Sequence, residues 1–239
     1  MQEKIANYCK RLRLSRNFSE IYKNIQAKNY EEFLCDLLER EVNHRDIMKI
    51  ERAIKLASFP VVRSFDGYSF QEISLPSSLG ENELKNLNFI TEKKNLILYG
   101  SVGTGKTHMA CALGLSACNE GKHVKFYRTS TLVNHLSEAK KKGSLSTFLK
   151  KFEKLDLLIL DEWGYVPLDR EGAQLIFQII SDCYEKCSIV LTTNLEFSRW
   201  VTILYDENMT AALIDRLVHH SHLILFNGSS KRLKESGLG

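Results

Sequence analysis

Proline is scarce, with three residues in 239, and the few that occur mark joints in an otherwise regular chain. No apolar run approaches the ~20 residues that a membrane span needs. Met1-Gln2-Glu3-Lys4 lacks the apolar centre of a signal peptide. Both absences point to a cytoplasmic protein without membrane attachment. Cys-x-x-Cys pairs are missing too. The six cysteines, Cys9, Cys35, Cys111, Cys118, Cys183 and Cys187, are scattered. That spacing argues against a disulfide scaffold or zinc finger and for reduced thiols, with Cys183 and Cys187 on one helix face suited to packing. A large charge of one sign is also lacking: the net charge is +4. Any argument for nucleic acid therefore rests on where the charges sit.

What remains is an ordinary globular composition, 44% hydrophobic and 26% charged, enough for one large domain or a small one and a medium one. Residues 1–57 read as helix, because Phe33, Leu34, Leu37, Leu38, Val42, Ile47, Ile50 and Ile54 recur at helical spacing between charges. Ser58-Phe59-Pro60 stops that pattern. Asp66-Gly67 is a turn, and a domain boundary is expected there, giving a helical N-terminal module (1–66) and a larger domain (67–239).

Beyond the boundary, short apolar runs alternate with helical stretches. Strands are expected at 95–99, 123–127, 157–161, 188–193 and 222–226. Helices are expected at 105–119, 130–142, 146–153, 171–185 and 207–218. Alternation of this kind predicts an α/β domain with a mostly parallel five-stranded sheet flanked by helices.

The segment Gly100-Ser101-Val102-Gly103-Thr104-Gly105-Lys106-Thr107 fits the phosphate-binding pattern G-x-x-x-x-G-K-[ST] at every fixed position. Glycines let the backbone turn its N–H groups onto phosphate oxygens, and the following helix N-terminus adds partial positive charge. Lys106 brings a full charge to the β- and γ-phosphates of ATP, and the Thr107 hydroxyl suits Mg²⁺. A chance match arises in roughly one chain in a hundred of this length. Here a strand precedes the motif and a helix follows, as the chemistry requires.

Leu157-Leu158-Ile159-Leu160 leads into Asp161-Glu162. A buried strand ending in two acids delivers them to the carboxyl edge of the sheet, where ligands bind in open α/β folds. Asp161 is the candidate for the Mg²⁺ shell and Glu162 for polarising an attacking water. Asn194 closes the strand 188–193 and is a candidate to orient that water, although a cap or turn asparagine reads the same way. Thr192 and Thr193 are expected to satisfy the strand end, and Trp163 to pack below the site. His219, His220 and His222 have no acid or cysteine beside them, so packing is the better reading than metal.

Basic residues cluster at Lys140, Lys141 and Lys142, at Lys150, Lys151 and Lys154, and at Arg11, Arg13 and Arg16. Lysine runs are most often solvated surface. In the helical layer of a ring they could also track a phosphate backbone. No base-reading motif accompanies them, so binding would be independent of sequence.

Together these elements resemble the AAA+ ATPases, and within them the IstB-type ATP-binding proteins of insertion sequences, relatives of the DnaC helicase loaders. The resemblance covers nearly the whole chain. It rests on Leu12-Arg13-Leu14, Leu37-Leu38-Glu39-Arg40-Glu41-Val42 and Ala57-Ser58-Phe59-Pro60 in the first part. In the second it rests on Asn194-Leu195-Glu196-Phe197-Ser198-Arg199-Trp200, Ala211-Ala212-Leu213-Ile214-Asp215-Arg216-Leu217 and His219-His220-Ser221-His222.

The resemblance implies that Asn194 is sensor I and that Arg216 is an arginine finger reaching a neighbouring subunit's ATP. Read from the residues alone, Arg216 is a surface ion-pair residue of an amphipathic helix. Sensor II falls on Arg232, in Ser230-Lys231-Arg232, where the family usually reads Ser-Tyr-Arg. Further implications are ATP and Mg²⁺ as cofactors, double-stranded DNA and a transposase as partners, and a homo-oligomeric ring or spiral formed with ATP. A transposition helper ATPase is the leading reading. A replicative helicase loader, a small-molecule kinase and a non-hydrolysing nucleotide switch are the alternatives.

Overall fold

The computed structural model describes residues 1–15 and 17–231. Tertiary contacts divide the chain into two compact units, Met1–Arg52 and the remainder. The division falls inside a helix rather than at the Asp66-Gly67 turn. Phe59, Phe65, Tyr68 and Phe70 pack into the core of the second unit.

The first unit holds α1 (Gln2–Arg11), α2 (Phe18–Ile21) and most of α3 (Tyr30–Ala57). Helix is thus interrupted twice within the stretch read as helical from periodicity. α3 begins where Asn29 Oδ1 accepts the Glu32 N–H at 2.7 Å and the Glu32 carboxylate accepts the Lys28 N–H at 2.7 Å. These bonds satisfy helix-terminal donors that have no partner within the helix. α3 ends at Ala57, ahead of Ser58 in the left-handed region (φ 61°) and of Pro60.

The unit is tied by the buried Glu41. Its carboxylate accepts Ser15 N at 2.9 Å, Ser15 Oγ at 2.6 Å and Arg45 Nε at 2.8 Å. Burial works to raise the Glu41 pKa, but the bonds from Ser15 and Arg45 outweigh it and hold the carboxyl below its usual range. Of the apolar residues that recur along α3, Leu37 is buried, whereas Leu34, Leu38, Val42 and Ile47 are exposed. A unit this small does not cover every face of a long helix.

The second unit is a sheet between helices. Along the chain come β1 (Ile73–Ser74), α4 (Glu81–Lys85), α5 (Asn88–Thr91), β2 (Asn95–Gly100), α6 (Lys106–Asn119), β3 (Val124–Arg128), α7 (Thr129–Lys141) and α8 (Leu145–Leu149). β4 (Leu157–Trp163), α9 (Arg170–Cys183), β5 (Ser188–Thr193), α10 (Val201–Leu204), α11 (Glu207–Val218) and β6 (Ser221–Phe226) follow.

The sheet has six strands in the order β1-β6-β2-β5-β4-β3, one more than expected. The extra strand, β1, is two residues long and pairs antiparallel with β6, Ile73 against Phe226. So short a strand carries no period to read. All the other pairings are parallel.

Alternate residues of the central strands enter opposite cores. Ile97, Leu158, Leu160, Ile189 and Leu191 face the helices α7, α9 and α11. Leu96, Leu98, Leu157, Ile159 and Val190 face α6 and the loops before β2. Both faces are covered, which is why the strands read as continuous apolar runs. No described helix is long and apolar enough to cross a membrane.

Candidate functional site

β2 ends at the glycine-rich loop, in the middle of the sheet. Gly105 caps α6 with φ 101°, a backbone conformation that costs an L side chain dearly. Gly103 (φ 81°) lies so close to Ser230 that a Cβ there would meet the serine side chain. Lys106 is buried, and its Nζ donates to the Gly100 and Ser101 carbonyls at 2.7 Å each. The Thr104 hydroxyl donates to the Ser101 carbonyl at 2.8 Å and stiffens the loop.

Thr107, in the first turn of α6, points at β4. Its hydroxyl lies 2.9 and 3.2 Å from the two Asp161 oxygens. Thr192 of β5 donates to the same carboxylate at 2.5 Å, and Asp161 is only 2% exposed. Beneath it on α6, Cys111 is a buried thiol whose pKa is pushed up to about 12, by burial first and by the Asp161 charge second. That thiol stays protonated and inert.

Between Leu160 and Trp163 the β4–β5 register slips, so β4 carries an extra residue there. Glu162 sits in this bulge with φ 60°, and its N–H donates to Thr192 Oγ at 3.0 Å. Bulges re-aim side chains at sheet edges. Here the bulge leaves Asp161 buried while the Glu162 side chain is 42% exposed, 3.5 Å from Arg128 Nε at the end of β3. Trp163 is fully buried against Trp200, ring centroids 5.1 Å apart.

The other sequence-derived candidates are more dispersed. Asn194 is exposed just past the end of β5. Arg216, on α11, lies over the Phe177 ring of α9 at 5.1 Å and donates to the Ala212 carbonyl at 3.1 Å. Arg232 lies outside the described residues, as does Arg16. Lys140 pairs with Glu171 at 2.6 Å and Lys142 with Glu138 at 3.5 Å. Lys141, Lys150, Lys151 and Lys154 are exposed, and Lys151 lies 5.0 Å over Phe148. His222 meets Ser78 at 3.3 Å and His220 meets Glu185 at 3.5 Å.

Three residues at the site were given no part in it from sequence. Thr192, expected only to finish a strand, bonds both acids' segments. Arg128 reaches Glu162 because the β3–β4 register sets it opposite Asp161. Tyr68, from the loop before β1, brings its hydroxyl to 3.5 Å from the Gly105 carbonyl.

A parallel sheet with the glycine loop at the carboxyl end of a central strand, and an acid pair on β4, one strand beyond β5, defines the P-loop AAA+ fold. The crystal structure of the DnaC helicase loader superposes with TM-score 0.53 at 25% identity, over 68% of this chain and 96% of that one.

Sequence places the chain more narrowly. Residues 13–238 match the family model of the IstB-like ATP binding proteins, and the chain belongs to that family. It is 36% identical over 243 residues to the ATP-binding protein of insertion sequence IS5376 from Geobacillus stearothermophilus, covering 100% of this chain and 97% of that protein. It is 39% identical over 207 residues to the IS21 ATP-binding protein of Pseudomonas aeruginosa, covering 87% and 78%.

Proposed function

We propose that the chain is the ATP-hydrolysing helper of a transposition system. It assembles with ATP on duplex DNA as a homo-oligomeric ring or spiral, selects the target, and engages a partner transposase that carries out strand transfer. The first unit, Met1–Arg52, within the 1–66 expected from sequence, serves as a docking module for DNA or partner. The observation that carries the hydrolytic part is the join between the glycine loop and β4. Thr107 and Thr192 both donate to Asp161, and Glu162 stands one residue further on.

One buried carboxylate beside a threonine hydroxyl is a hard-oxygen pair that suits Mg²⁺, which takes few protein ligands and keeps phosphates and water for the rest. Thr107 and Asp161 would hold the ion. Bound there, Mg²⁺ offsets charge on the β- and γ-phosphates. Lys106 would exchange its two carbonyl partners for those phosphates. Glu162 would accept the proton of the attacking water, which Asn194 would orient. Arg216 would serve the ATP of the next subunit, and Arg232 its own. Lys140, Lys141, Lys142, Lys150 and Lys151 would meet the DNA backbone.

Match across 96% of the DnaC loader chain favours a second reading, a helicase loader. Identity over the full length of an insertion-sequence protein weighs more and favours the transposition helper. The test is ATP turnover with and without duplex DNA, in wild type, Glu162→Gln and Lys106→Ala. We expect DNA to stimulate turnover, Glu162→Gln to bind ATP without hydrolysing it, and Lys106→Ala to lose tight binding. Normal turnover by Glu162→Gln would remove Glu162 from its role. Stimulation by a replicative helicase rather than by a transposase would move the chain to the loader reading.

A further inference from the structure

The chain that follows β6 returns to the glycine loop. Lys231 donates its backbone N–H to the Gly103 carbonyl at 2.9 Å. Its side chain continues along the loop. The Lys231 Nζ lies 5.4 Å from the centroid of the Tyr68 ring and 3.9 Å from where a Cβ on Gly105 would stand. Tyr68 itself directs its hydroxyl at the Gly105 carbonyl and packs edge-on against His108, in the first turn of α6, with ring centroids 4.8 Å apart. Burial pushes the Tyr68 pKa up, so this ring stays a neutral platform. A full positive charge on a long, flexible stem therefore stands beside the glycine that begins the phosphate-binding helix.

We propose that Lys231 is a nucleotide-contacting residue, whose ammonium leaves the Tyr68 ring for the phosphate chain when ATP binds. The inference rests on the reading of the glycine loop as an ATP site. A cation over a phenol ring at a partly open site is held weakly, whereas a charge-assisted bond to a phosphate oxygen is among the stronger polar contacts. The helix N-terminus draws the phosphates to the same place. Residues 230–232 read Ser-Lys-Arg, which puts this charge directly after the serine that lies against Gly103. It makes Lys231 the second lysine of the site, reaching it from the far end of the domain, where Lys106 arrives from within the loop.

The experiment measures ATP and ADP affinity for the full chain at several salt concentrations, with fluorescent nucleotide analogues. Four proteins are compared: wild type, Lys231→Met, Lys231→Gln and Lys231→Arg. We expect both neutral variants to bind about tenfold more weakly at low salt, with the deficit shrinking as salt rises, and the arginine variant to bind like wild type. Equal affinity in wild type and both neutral variants overturns the proposal. So does a deficit that salt leaves unchanged and arginine does not repair, because that marks a packing role for the segment. Lys106→Ala separates the two levels. If wild type binds no ATP, or binds it no better than Lys106→Ala, the ATP-site reading itself fails. If Lys106→Ala abolishes binding and the Lys231 variants do not weaken it, only the role of Lys231 fails.

Discussion

Asp161 shows how much a single carboxylate owes to its neighbours. It is buried at 2% exposure and receives hydroxyl bonds from Thr107 and Thr192. Without them the charge would be costly at that depth. Thr192 also accepts the Glu162 N–H, so one hydroxyl positions both acids. Thr192→Val should lower the turnover number by about 10–100-fold, the usual effect of losing a group that orients a ligand-bearing residue. Thr192→Ser should restore most of it, and ATP affinity should change little in either. Steady-state kinetics with a binding titration read both quantities. An unaltered turnover number in Thr192→Val would reduce Thr192 to a strand-end residue. Lys106, Thr107, Asp161 and Glu162 were legible in the sequence because a local spacing fixes them. Thr192 and Arg128 were not. They join the site through strand register, across partners some thirty residues away in the chain.

Two helices carry the element-scale expectations. α11 holds Arg216 against Phe177 in the single chain, a half-buried resting place on its own subunit. A finger must leave that ring to reach a neighbour's γ-phosphate. Arg216→Ala should bind ATP yet hydrolyse it poorly, and mixing it with Lys106→Ala should partly restore activity, because some interfaces then pair an intact pocket with an intact finger. A mixture that co-assembles and stays inactive assigns Arg216 to the α9–α11 contact alone. On α3, Glu41 binds the first helical unit together. Its folded pKa lies below the ordinary value of 4.5, so its contribution is fully present above that pH and is lost as pH falls through the folded pKa. Glu41→Gln should destabilise the unit by roughly 1–3 kcal/mol at neutral pH and flatten its acid sensitivity, as circular dichroism against pH would register. The central strands were readable because both faces are buried. β1 was not, because two residues form no pattern, and the breaks before α3 were missed because the recurring apolar residues, Phe33 to Ile54, all lie within α3 and carry no information on the chain before it.

At the scale of the whole molecule, the chain separates into Met1–Arg52 and a larger unit that contains the glycine loop and both acids. Phe59, Phe65 and Tyr68 belong with that larger unit. A protein beginning at Ala53 should therefore bind ATP with near-normal affinity but fail to assemble on DNA or to engage its partner. Nucleotide titration and sedimentation with duplex DNA would check this, and full ATP-dependent assembly by the shortened protein would make the first unit dispensable. The order of strands has a consequence for synthesis. β2, which ends in the glycine loop, is flanked by β6 and β5, and both lie later in the chain. A ribosome emits the loop long before it emits either flanking strand. Until β6 emerges, Gly100 has no Phe226 to lie against and Asn95 has no His220 carbonyl for its N–H. The nascent chain thus carries the complete phosphate-binding motif before the strands that frame it exist, and the frame closes only once β6 has been made.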